Sequence, residues 1–254
     1  MARRARVFAM LGCLFWAGAC ADNPYWIGQL RDAEVPDAGV AACPAGSLVC
    51  SGFEAAQLHD EWPETHIENA AEVERSTVRA HSGMAALRAE SRDASSVAVV
   101  VARFAALHSG TLYLRAYLFV PDGQPTDRMN LFFLGSRPDP EPEPFVGMDL
   151  NLEQGALQLF SPQAEPRRQT GSLRVPRDRW FCLRAQVELG ARGEVRLFVE
   201  DQLALRATQV DSAAQDGVSM LRAGVDWSSE QEAKFEVFID DLGLATRPIA
   251  CLTD

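Results

Sequence analysis

Positive charge is scarce in this chain of 254 residues: 24 Lys and Arg stand against 35 Asp and Glu, a formal net charge of -11. A surface of that sign repels phosphate backbones, which excludes nucleic acid as a partner, and it repels anionic lipid headgroups. There are only four histidines, scattered along the chain, and no Cys-x-x-Cys or Cys-x-x-His pair, so a zinc-type centre has no ligands at usable spacing. Glycine-rich phosphate loops and metalloprotease motifs are missing, and no Ser/His/Asp set can be assembled. No long segment repeats every 3.6 residues, and neither βαβ units nor internal repeats occur. What remains is an apolar fraction of 47% with 23% charged residues, the balance of a folded globular chain.

Long hydrophobic runs are also absent. Arg3, Arg4 and Arg6 precede an apolar stretch from Val7 to Ala19, which Asp22 ends before it reaches the roughly 20 residues that span a bilayer. A basic start, a short apolar stretch and the small residues Ala17-Gly18-Ala19 predict a secretory signal over residues 1–19. Its end resembles the lipobox of bacterial lipoproteins, with Cys20 as the lipidated mature N-terminus and Ala17 where Leu is more usual. Cys13 has too little apolar sequence before it for that role, and ordinary cleavage near Ala19 is the alternative. Losing residues 1–19 removes three arginines and no acid, taking the net charge from -11 to -14. Lipidation implies a membrane anchor with more than one acyl chain, because a single chain binds only marginally. The expected address is the cell envelope, at the outer membrane or surface, or otherwise the periplasm or medium. Residues 20–42, with Asn23-Pro24, Pro36-Asp37 and Ala38-Gly39, read as a tether.

With Cys13 removed and Cys20 acylated, Cys43, Cys50, Cys182 and Cys251 remain, an even number suited to two disulfides in an exported chain. A local Cys43–Cys50 bridge around Pro44-Ala45-Gly46 would leave Cys182 for Cys251, whereas one of the first pair joined to Cys251 would staple the ends together. Both arrangements are open.

From residue 43 to 254 the pattern is that of strands. Leu112–Leu118, Val146–Glu153, Phe181–Leu189 and Val195–Val199 alternate with a period of two, and shorter runs follow at Leu48–Phe53, Ala85–Glu90, Val97–Phe104, Asn130–Leu134, Leu157–Phe160, Met220–Val225 and Phe235–Leu242. Turns at Pro121-Asp122-Gly123, Glu153-Gln154-Gly155, Gly190–Gly193 and Asp216-Gly217 separate them. The expectation is one all-β domain, a two-sheet antiparallel sandwich, with helical turns at Ala70–Arg75 and Ser212–Gln215. The proline–acid alternation of Ser136–Pro144 cannot join a ladder and reads as a solvated loop.

The ordered set Gly52-Phe53-Glu54, Trp62, His81–Arg88, Arg179–Leu183, Gly193–Val199 and Phe238–Leu244 resembles the concanavalin A-like or laminin-G-like jelly roll of bacterial secreted proteins and lipoproteins. The resemblance covers residues 47–251 and implies first and last strands side by side. It also implies a structural calcium between them, for which Glu54, Asp240 and Asp241 are the carboxylates at hand. Asp240 and Asp241 would point to opposite sides of the last strand, and an inward carboxylate needs a partner or a metal. Trp180 and His81 read as a packing residue and a turn residue.

If Leu112, Leu114, Ala116, Leu118, Met148, Leu150, Leu152, Leu157 and Leu159 face the core, then Tyr113, Arg115, Tyr117, Asp149, Asn151, Glu153 and Gln158 face outward, with Asn130 between. Since consecutive strands usually neighbour one another, these eight are expected to form one polar face able to stack on sugars and bond their hydroxyls. Three readings compete: a noncatalytic carbohydrate- or surface-binding domain, a polysaccharide lyase or glycoside hydrolase, and a structural or adhesion lipoprotein. For hydrolysis, the laminarinase-type strand of alternating Glu, Asp and Glu is broken here by Gly147 and Asn151. A lyase would use Tyr113 or Tyr117 as base and acid, with Arg115 and Asn130 neutralising a uronate, but the Gln-x-His of alginate lyases is lacking.

Overall fold

The computed structural model describes residues 43–252 except 45, 95, 125–126, 137–145, 163, 213–216 and 230–233. The signal, Cys20, the tether, the loop after Ser136 and the turn after Ser212 fall outside the described residues.

Among the described residues fifteen strands and one helical turn follow in order: β1 (Ser47–Ser51), α1 (Leu58–Glu61), β2 (Glu64–Glu68), β3 (Glu72–Ser76), β4 (Ala86–Ser91), β5 (Val97–Leu107), β6 (Gly110–Phe119) and β7 (Arg128–Ser136). Then come β8 (Val146–Glu153), β9 (Ala156–Phe160), β10 (Arg168–Arg174), β11 (Trp180–Leu189), β12 (Gly193–Val199), β13 (Gln202–Val210), β14 (Val218–Ser228) and β15 (Phe235–Ala245). Each expected strand is present. The turn expected at Ala70–Arg75 is corrected: Asn69 and Ala70 take positive φ in a tight turn, and the chain pairs with β4 as β3.

An eight-stranded sheet runs β13-β12-β11-β6-β15-β4-β3 with β1 also on β15, and a seven-stranded sheet runs β10-β9-β8-β7-β14-β5-β2. The ladders are antiparallel throughout, and the sheets stack as a jelly-roll sandwich. Between them lies one core, built from the residues that alternation assigns inward: Leu112, Leu114, Ala116 and Leu118 from β6, Met148, Leu150 and Leu152 from β8, and Leu157 and Leu159 from β9. Removing this much apolar surface from water is the main stabilising term.

First and last strands do lie together. β15 pairs with β6 on one side, while on the other its partner changes from β4, at Phe235–Ile239, to β1, at Leu242–Ala245. The disulfides are Cys43–Cys50 and Cys182–Cys251, so the local arrangement is the one adopted. Such bridges form in oxidising, exported settings. Among the described residues no helix is long and apolar enough to cross a membrane.

Candidate functional site

The eight outward candidates do not share one face. β6 and β7 are consecutive but belong to different sheets. Tyr113, Arg115 and Tyr117 therefore lie on the outside of the eight-stranded sheet, and Asn130, Asp149, Asn151, Glu153 and Gln158 on the outside of the seven-stranded one.

The first group is corrected further by the C-terminal tail, which crosses β6. Arg115 Nε donates to the Asp241 carbonyl (3.2 Å) and Nη1 to that of Ala250 (3.4 Å), while the Tyr117 hydroxyl donates to the Leu252 carbonyl (3.0 Å). Cys182–Cys251 locks the tail down. Tyr117 and Arg115 are buried, and burial pushes the Tyr117 phenol up and the Arg115 guanidinium down. Neither suits the base, acid or uronate clamp expected of it.

Asp240 and Asp241 also belong to this side. A bulge after Asp240, with Asp241 at φ 46°, turns both carboxylates the same way. Asp240 accepts from the backbone N–H groups of His81 (2.7 Å), Ser82 (3.1 Å) and Asp241 (2.7 Å). Asp241 meets His81 Nδ1 (2.6 Å) and the Ser82 hydroxyl (2.7 Å), and Glu54 accepts from the N–H groups of Met84 and Ala85. Five N–H groups of residues 81–85 and Asp241 and one hydroxyl thus converge on these carboxylates, which is a donor cradle and does not fit a cation. Among the described residues no set of three or more acidic, His or Cys side chains could hold a metal. His81 also stacks on Tyr117 at 3.5 Å, and Trp180 packs edge-on against His81 and Phe119, outside the core.

The second group opens onto a groove. Register places Trp227 (β14), Asn130 (β7), Asn151 (β8), Gln158 (β9) and Thr170 (β10) in one row across five strands. A neighbouring row runs Arg222, Phe133, Asp149, Phe160 and Arg168 across the same strands. Bulges between Asn130 and Phe132 and between Ala223 and Trp227 bring both rows outward and put Asp226 beside Trp227. The Phe133 ring lies across Gly135 and Gly147, where an added Cβ would come within 2.5 Å and 2.7 Å of its Cζ, so glycine on both strands is needed for the floor to close.

The groove has a hollow of about 430 Å³ reaching from His66 and Glu68 to Phe160 and Pro162, and an adjoining one of about 200 Å³ between Arg128 and Arg168. Its polar groups are ordered by a relay: Asn151 Nδ2 donates to Gln158 Oε1 (3.1 Å), Gln158 Nε2 donates to Glu153, and the Thr170 hydroxyl reaches the same carboxylate (3.0 Å). Asn151 is 1% exposed, and its Oδ1 has no hydrogen-bond partner. A buried acceptor left open costs stability, which a ligand hydroxyl could recover. Arg222 Nη2 pairs with Asp226 Oδ1 at 2.7 Å, and His66 Nε2 lies 2.8 Å from Glu68 Oε1. Burial, with the charge of Asp226 nearby, pushes the Asp149 carboxyl up to about 7 against the opposing pull of Arg222 and Arg128. Burial raises Asp226 as well, despite Arg222.

Sequence reasoning missed His66, Arg128, Phe160, Arg168, Arg222, Asp226 and Trp227. One signal was present: Arg222 sits inside the apolar run Met220–Val225, where a charge needs a reason.

No family model matches the chain, and no curated protein matches it in sequence. Solved structures do. An endo-β-1,4-glucuronan lyase from the fungus Trichoderma reesei is 11% identical with a TM-score of 0.61, covering 73% of this chain and 91% of its own. The cellulose-induced protein Cip1 is 11% identical with a TM-score of 0.59, over 80% and 99% of the two chains. Botulinum neurotoxin type C, whose cell entry depends on two ganglioside molecules, is 8% identical with a TM-score of 0.55, over 80% of this chain and 48% of that one. At these identities the likeness establishes the jelly-roll sandwich and nothing finer.

Proposed function

We propose that the chain is an exported glycan-binding protein, carried on a lipid anchor at Cys20, whose binding surface is the groove on the seven-stranded sheet. The observation that carries this reading is the cross-strand row Trp227–Asn130–Asn151–Gln158–Thr170, which has at its centre, on Asn151, a buried acceptor without a partner. Sugars present hydroxyls that both donate and accept, and planar amides fixed by a relay answer them at little entropic cost. Structural neighbours that bind or process glycans add support at the level of the scaffold. Binding of the full chain to a glycan array, repeated with Asn151→Ala and Trp227→Ala, tests it. Loss in both variants supports the groove; binding untouched in both sinks it.

A second reading, a glycan-cleaving enzyme, rests on Asp149. A carboxyl held up to about 7 in a groove is poised to take a proton near neutrality, as a general base must. Release of unsaturated or reducing ends from a polysaccharide panel, abolished in Asp149→Asn, would favour catalysis over binding. An adhesion role would instead show as binding to envelope proteins and to no glycan.

A further inference from the structure

The smaller hollow at the β9–β10 end of the groove differs in charge from the rest of the molecule. Five arginines on the outer faces are matched to acids, Arg88 to Glu74, Glu90 and Glu236, Arg103 to Glu64, Arg184 to Asp201, and Arg196 and Arg206 to Glu194, while Arg79 on the other sheet stacks singly on Phe119. Arg128 and Arg168 have no carboxylate partner among the described residues. Each is held by an aromatic ring instead, Arg128 at 4.4 Å from the Trp227 centroid and Arg168 at 5.7 Å from that of Phe160.

That mode of support matters chemically. A guanidinium stacked on a ring is stabilised through its face, while its N–H donors lie in its plane and stay available. The two cations are near enough for Arg168 to add to the effect of burial in lowering the Arg128 pKa, so an anion between them would relieve a repulsion. Glu153, engaged by Gln158 and Thr170, and Asp149, whose proton burial holds up to about 7, offset Arg128 only in part. Between the arginines the same hollow is lined by Asn151, whose buried Oδ1 accepts but cannot donate. Cationic donors beside an open acceptor do not suit a bare anion, which has no proton to give. They suit one residue that carries an anionic group and a hydroxyl together.

We propose that this end of the groove is a subsite for an acidic sugar, its carboxylate or sulfate held between Arg128 and Arg168 and a hydroxyl donated to Asn151. The inference rests on the glycan-binding reading and narrows it to charged glycans. A protein of net charge -11 would otherwise repel such polymers.

The test is affinity electrophoresis of the full chain in matched gels of polygalacturonate, its methyl ester, dextran, dextran sulfate and polyglutamate. The expected result is retardation by polygalacturonate or dextran sulfate over its neutral counterpart, which of the two telling carboxylate from sulfate. Arg168→Gln, an exposed change, is expected to cost about tenfold in that affinity, as removal of a charged hydrogen bond should, and to leave the melting temperature in place. Arg128→Gln should act likewise. Equal binding of acidic and neutral polymers overturns the subsite and leaves the glycan reading standing. Retardation by polyglutamate as strong as by the acidic glycans, or affinity unchanged in both variants, overturns it also. Binding to no glycan removes the groove reading and this one with it.

Discussion

The two outer faces of the sandwich have opposite economies of polar groups. On the eight-stranded sheet many charges are answered from within: Arg88 gathers Glu74, Glu90 and Glu236, Glu194 holds Arg196 and Arg206, and the tail covers Arg115 and Tyr117, with Arg79 alone stacked on Phe119. On the seven-stranded sheet the groove keeps an open amide oxygen, a carboxyl raised to about 7 and two arginines supported only by rings. The contrast teaches where to look for function in a fold that many activities share. Polar groups satisfied by the chain itself hold it together, and those left unsatisfied at a concave surface await something else.

The comparison is broken most forcefully from the tail side. Replacing Cys182 and Cys251 by Ser removes a bridge across 69 residues, and about 4 kcal/mol of stability is expected to go with it, read from the urea midpoint. Groove affinity should survive in the folded fraction. Next in size, Asp240→Ala strands three backbone N–H groups, at roughly 3 kcal/mol, again read from denaturation.

The pH dependence sharpens the contrast. Asp149 and Asp240 are both raised from 3.8 to about 7 by burial. The folded protein therefore keeps protons that the unfolded chain releases near pH 4. Their contribution to stability is whole below pH 4 and is lost as pH rises toward 7, opposite to that of a salt-bridged acid. Urea midpoints taken from pH 4 to 8 should show Asp149→Asn gaining on the wild type as pH rises; parallel curves would count against the shift. Tyr113→Ala has the smallest expected effect, leaving glycan affinity unchanged, whereas a loss there would return the binding face to the eight-stranded sheet.

Much of the architecture was legible because alternation is local. Leu112–Leu118 and Val146–Glu153 each declare which side is greasy, and the core follows them residue by residue. What was not legible is relational. Nothing in Tyr113 or Asn130 says that the chain between them crosses from one sheet to the other, and the two halves of the expected face parted there. His66, Arg222 and Trp227 come from β2 and β14, which reach the groove by non-sequential pairing. The outward turn of Asp241 depends on a one-residue bulge that the plain alternation of Phe238–Leu244 conceals.

The pairing of β1 with β15 carries a practical corollary. Gly46 lies beside Thr246 and Arg247, so the first strand begins next to the point where the last one stops. The tail then crosses the outside of that sheet to Cys182, so a probe fixed on it is kept on the face away from the groove, which stays accessible for measurement.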